Sequence, residues 1–89
     1  MSKINVTYNT ERVTKNKIVH SQGCNCISFI NVGRNAATVL EDIPLNSVTI
    51  AHHFNNDNID EIITQDFPIK FAGALNTLVI VVRTFKVRQ

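Results

Sequence analysis

From Ile43 to Gln89 the chain reads as strand after strand, with charged residues mostly at the joints, and this pattern constrains the fold more than any motif. The run Thr77-Leu78-Val79-Ile80-Val81-Val82, just after Asn76, is apolar on both alternating faces, as expected of a strand covered on two sides. In a chain this small, that cover has to come from a second sheet or from another subunit. No catalytic signature competes with the strand pattern, so function has to be sought through architecture and assembly.

A length of 89 residues makes one domain, 1–89, near the lower limit of what a single core stabilises without disulfides, metals or partners. Oligomerisation is therefore expected. Hydrophobic residues form 44% of the chain and charged ones 18%, so a core is available while the surface is lightly charged for a solitary protein. No stretch approaches the roughly 20 apolar residues of a membrane helix, and Met1-Ser2-Lys3-Ile4-Asn5 does not open the apolar stretch expected of a signal peptide. Cytoplasmic synthesis and no membrane partner are the expectations.

Charge is segregated along the sequence. Residues 1–40 carry Lys3, Arg12, Lys15, Lys17 and Arg34 against Glu11 alone. Residues 41–69 carry Glu41, Asp42, Asp57, Asp60, Glu61 and Asp66 with no Lys or Arg, and residues 70–89 return Lys70, Arg83, Lys86 and Arg88. One explanation is that basic and acidic segments lie at opposite ends of one sandwich, which favours solubility. Another is head-to-tail docking of copies, with Glu41, Asp42, Asp60 and Glu61 of one chain meeting Arg34, Arg83 and Lys86 of the next. Nucleic acid is not expected, because the aromatic residues do not cluster beside the basic segments as stacking platforms.

The pattern predicts about seven strands and no helix. Lys3 to Asn9 alternates Ile4, Val6 and Tyr8 against polar residues and closes at a turn-prone Asn9-Thr10. Arg12 to His20 is an edge strand or a hairpin tip around Lys15-Asn16-Lys17, and Ser21-Gln22-Gly23 is a turn. Cys26 to Val32 and Ala36 to Leu40, joined by Gly33-Arg34-Asn35, look like a hairpin. Pro44 belongs on a sheet edge or in a connection before a strand from Ser47 to Phe54, and Asn55-Asn56-Asp57-Asn58 is a loop. Ile59 to Thr64 is a short strand or an irregular piece. Phe67, Ile69 and Phe71 share one strand face, and Ala72-Gly73-Ala74 leads to the terminal strand.

Taken in order, Cys26-Ile27-Ser28-Phe29-Ile30-Asn31-Val32-Gly33, Ala37-Thr38-Val39-Leu40, Ile43-Pro44-Leu45, Ile59-Asp60-Glu61-Ile62, Phe67-Pro68-Ile69-Lys70-Phe71 and Leu78-Val79-Ile80-Val81 carry a family resemblance. Across residues 26–85 the chain resembles small virion proteins of tailed bacteriophages, especially those of Bacteroides-like hosts. It departs from that pattern where Asn46-Ser47 replaces a Pro-Gly turn and where no Gly precedes the acidic Ile-Asp turn. The resemblance implies a capsid accessory, head-fibre or neck component, located in the virion and packed in many copies with itself and with other virion proteins.

Chemical candidates are few. Cys24-Asn25-Cys26 places two thiols on one face of an extended segment, and His20, His52 and His53 could add nitrogen ligands, but the spacing is not that of common structural zinc sites. Reduced small core or turn residues are the plainer reading, and so short a disulfide would be strained. His52 and His53 should point to opposite strand faces, one of them within reach of Asp57 or Asp60. A Ser47, His52 and Asp60 set lacks a nucleophile turn or oxyanion-hole motif, and three glycines leave no phosphate cradle.

The expectation is thus an all-β, small antiparallel β-sandwich, with a jelly roll among its topologies, that is not an enzyme and needs no cofactor. It would serve as a virion structural protein. The alternatives are a receptor- or carbohydrate-binding module using Asn55-Asn56-Asp57-Asn58, His52 and His53, and a metal-responsive binding protein using Cys24, Cys26 and the histidines.

Overall fold

The computed structural model describes residues 3–46, 51–56 and 58–88. Eight strands and no helix occur among them: β1 (Ile4–Val13), β2 (Lys17–Val19), β3 (Cys26–Asn31), β4 (Ala37–Val39), β5 (Ile43–Leu45), β6 (His52–Phe54), β7 (Phe67–Phe71) and β8 (Val79–Arg88). They form two four-stranded antiparallel sheets, ordered β1-β8-β3-β6 and β2-β7-β4-β5. In register, β1 pairs with β8, β2 with β7, β3 with β6 and β4 with β5, so the chain is one long hairpin with its tip at β4–β5. Further pairing of β3 with β8 and of β4 with β7 rolls that hairpin onto itself. This strand order is a jelly roll, a β-sandwich whose consecutive strands mostly alternate between sheets.

Alternation builds the core. Val79 and Val81 of β8, Ile27 and Phe29 of β3, and Val13 of β1 face Val19, Val39, Leu45, Phe67 and Ile69 of the other sheet, all buried. Phe29, Phe54 and Phe67 meet at centroid separations of 5.1–5.9 Å, within the range favoured by aromatic pairs. Two buried asparagines sit among these apolar groups. Asn31 Nδ2 donates to the carbonyls of Asn35 at 2.8 Å and Leu45 at 2.7 Å, fastening β3 to β5 across the sandwich. Asn25 Nδ2 donates to the carbonyls of Ile59 and Glu61, while its Oδ1 accepts from Lys86 N, fixing the 59–61 segment against β8.

Several expectations are corrected. Asn9-Thr10 is not a turn: β1 runs unbroken through it, because Asn9 Oδ1 is engaged across the ladder by Arg83 Nη1 at 3.1 Å rather than by its own backbone. β3 and β4 are not a hairpin but lie in different sheets. The 32–35 segment bonds instead to the chain before β8, with Val32 N and Gly33 N donating to Leu78 O and Arg34 N to Asn76 O. Gly33 is required there, since a Cβ would lie 2.5 Å from Asn76 O and 2.6 Å from Leu78 N. The described strands number eight rather than about seven, while Pro44 does occupy an edge strand, β5, and Ile59 to Thr64 is irregular. Of the strand expected from Ser47 to Phe54, only His52–Phe54 is a described strand, and residues 47–50 lie outside the described residues.

Candidate interaction surface

Among the described residues, the terminal strand is fully covered on one side only. Val79, Val81 and Arg83 point into the sandwich and are buried, whereas Ile80, Val82 and Thr84 are half-buried on the outer face of the sheet. Register assigns that face residue by residue. Ile80 lies between Arg12 and Ile30, Val82 between Thr10 and Ser28, Thr84 opposite Tyr8, Lys86 opposite Val6, and Arg88 opposite Ile4. Ile4, Val6 and Tyr8 are 49%, 43% and 69% exposed, so apolar side chains run along β1 and continue through Val82 and Ile80 to Ile30. Arg12, Lys86 and Arg88 stand on the same face. Of the expected docking residues, Lys86 alone lies on this sheet face.

Arg83 is not available for docking. It is 1% exposed and held within its own chain, with Nη2 donating to Glu11 Oε1 at 2.7 Å, Nη1 to Asn9 Oδ1 and Nε to His20 O at 2.8 Å. Glu11 also accepts from Lys17 Nζ. The Lys17 hydrogen bond, aided by Arg83, holds the Glu11 carboxyl below its ordinary range even though partial burial acts in the opposite sense. A buried guanidinium needs this full set of acceptors.

The segregation of charge along the sequence does not persist in space. Rolling the hairpin brings Asp60 within 3.3 Å of Arg88, Glu41 within 3.8 Å of Lys70, and Asp66 within 3.1 Å of His20. These are exposed pairs of small energetic weight. Arg34, Asp42 and Glu61 are exposed in connecting segments, and Glu61 accepts from Asn58 Nδ2.

The chemical candidates separate. Cys24 is fully buried, and burial raises its thiol pKa; Cys26 Sγ lies 3.4 Å from Asn56 N, and both thiols are free. Among the described residues no group of three His, Cys, Asp or Glu side chains could hold a metal ion. His52 and His53 do point to opposite faces, His52 against the Phe54 ring at 4.7 Å and His53 outward. Asp57 and Ser47 lie outside the described residues, and Asp60 is engaged by Arg88 rather than by a histidine. A serine–histidine contact does exist, Ser28 Oγ to His53 Nδ1 at 2.8 Å. It sits on the outer sheet face without a carboxylate partner among the described residues. A shallow groove of about 410 Å3 lies between Leu40, Phe54, Asn55, Asn56, Glu61, Ile63, Gln65 and Phe67. Compared with protein-family models, curated proteins and solved structures, the chain matches none.

Proposed function

We propose that this chain is a non-enzymatic structural protein of a bacteriophage particle, working by association with copies of itself and with other particle proteins. The observation that carries the reading is the outer face of the β1-β8-β3-β6 sheet, where exposed Ile4, Val6 and Tyr8 of β1 continue into half-buried Val82 and Ile80 of β8 and Ile30 of β3. Jelly rolls serve as capsid domains and as lectins, which supports the reading by analogy of fold alone. A many-copy module needs rigid faces and edges, and this one has a continuous apolar face rimmed by Arg12, Lys86 and Arg88. Sedimentation velocity tests self-association, and a strictly monomeric species from micromolar to millimolar concentration would sink it. Mass spectrometry of purified particles tests the virion assignment, with the chain expected among their proteins.

A second reading, a small carbohydrate- or receptor-binding module, is favoured by one observation. The groove beside Phe54 gathers the amides of Asn55, Asn56 and Gln65 with the Glu61 carboxylate over an apolar floor, a mixture suited to sugar hydroxyls. Its aromatic floor is engaged in the core, since Phe54 and Phe67 stack at 5.1 Å and Phe67 is 2% exposed. Glycan-array binding abolished by Glu61→Ala would move the assignment to this reading.

A further inference from the structure

The four sheet edges of the jelly roll are unequal. β2, β5 and β6 are three residues long as described, and β5 carries Pro44, which cannot donate to a ladder. Such short edges offer little template for another chain. The fourth edge is β1, ten residues long, paired with β8 on one side and with no strand of the described residues on the other. Its alternate N–H and C=O groups therefore point outward over about 34 Å of strand. Inward-pointing Glu11 does not protect this edge as a lone charge would, because Arg83 and Lys17 already neutralise it.

We infer that β1 pairs antiparallel with β1 of a second copy about a two-fold axis at Tyr8, joining two four-stranded sheets into one of eight. This rests on the assembly reading above and names its partner. Among the edge strands, the one matched in length to this edge is the edge itself, and a two-fold axis makes it self-complementary. With Tyr8 facing its symmetry mate, Val6 lies opposite Thr10 and Ile4 opposite Arg12 on the outer face. Thr7 lies opposite Asn9 and Asn5 opposite Glu11 on the inner face. No like charges meet, and Lys3 falls diagonal to Glu11 of the other copy, twice by symmetry. The register also covers Tyr8, the most exposed large apolar side chain of the strand. The apolar face then continues unbroken from Ile30 and Ile80 of one copy to those of the other.

Thiol cross-linking tests the register. In the Tyr8→Cys variant the two new thiols face each other, and a short bis-maleimide should link most of the protein as a covalent dimer. In Thr10→Cys the two lie roughly 14 Å apart by strand rise and should not link. The wild type is the control for the buried Cys24 and Cys26. Tyr8→Lys sets two ammonium groups opposite each other and should weaken self-association at least tenfold in sedimentation. Should a variant fold poorly, amide exchange of the wild type gives an independent reading, with alternate β1 amides slowing as concentration rises. A multimer that Tyr8→Lys leaves intact, a Thr10→Cys variant that links as readily as Tyr8→Cys, or β1 exchange independent of concentration in that multimer would overturn the edge pairing while leaving self-assembly standing. A wild-type protein monomeric at every concentration would overturn both.

Discussion

Arg83 Nη2 donates to Glu11 Oε1 at 2.7 Å, joining the last strand to the first at a guanidinium that is only 1% exposed. The two residues are 72 positions apart, and the contact closes the long hairpin on which the jelly roll is built. Removing one partner should be far more harmful than removing both. Glu11→Ala leaves a buried cation short of an acceptor and should cost toward the ~3–5 kcal/mol typical of a broken buried pair. Glu11→Leu combined with Arg83→Met should recover much of that loss. A double-mutant cycle by urea unfolding checks this, and additive losses would mean that the pair is not coupled.

Stability should also fall in acid through Glu11. Its folded-state pKa is lowered, first by Lys17 and then by Arg83, relative to an ordinary 4.5. A lowered carboxyl pKa contributes stability that is fully present above the unfolded value and is lost as pH falls through the folded one. The urea midpoint should therefore decline below about pH 4.5, with the Glu11→Gln variant weaker at neutral pH and flatter in acid. A variant as acid-sensitive as the parent would assign the effect to other carboxylates.

Two glycines should respond to alanine for different reasons. Gly33→Ala drives a Cβ into the backbone at Asn76 and Leu78 and should cost about 1–3 kcal/mol, as overpacking does. Gly23→Ala meets no neighbour within 4 Å but places a side chain at a φ of +75°, and should cost about 1 kcal/mol. Thermal denaturation of the two variants should rank them in that order. The reverse order would mean that the Leu78 segment yields easily to Gly33.

Cys24 should be inert toward alkylation in the folded protein, since burial both shields the thiol and raises its pKa. Cys24→Ser should fold but lose about 1–3 kcal/mol, the cost of burying a hydroxyl without an equivalent partner. Labelling with a thiol reagent in native buffer and in denaturant checks the first point. Rapid native labelling at Cys24 would show that its surroundings, including the 59–63 segment whose Ile63 N donates to Cys24 O, open readily.

Much of the fold is legible in local pattern. Alternation in Phe67-Pro68-Ile69-Lys70-Phe71 predicts its buried face, and β-branched runs predict β3 and β8. Turn chemistry at Ser21-Gln22-Gly23 is visible because only a few residue types accept left-handed backbone, and Gln22 and Gly23 do adopt it. The same reasoning fails at Asn9-Thr10, where pairing with β8 overrides turn preference. It also fails at Leu40 and Glu41, whose positive φ values in the β4–β5 connection no local preference announces.

The interaction surface is less legible. Tyr8, Val6 and Ile4 read as one face of a strand, yet nothing local says whether that face turns inward or outward. Arg83, selected for its charge as a docking residue, is the most deeply buried ion of the described chain, and no local signal separates it from Arg34 or Lys86. A polar residue at an inward position of an apolar strand is a partial signal: Arg83 follows Val79 and Val81 at spacing two, and Asn31 follows Ile27 and Phe29.

By itself the sequence determined that this chain is built of strands, where most of them run, and that its terminal strand would present apolar groups on both faces. These follow from side-chain alternation and turn chemistry, which act over a few residues. Only the tertiary structure decided that the strands roll up as 1-8-3-6 against 2-7-4-5, that Arg83 is sealed behind Glu11, and that β1 stands as a ten-residue edge of its sheet. Those outcomes depend on which strands meet across as many as 84 positions, as Ile4 meets Arg88, and that choice is made by the packing of the whole core.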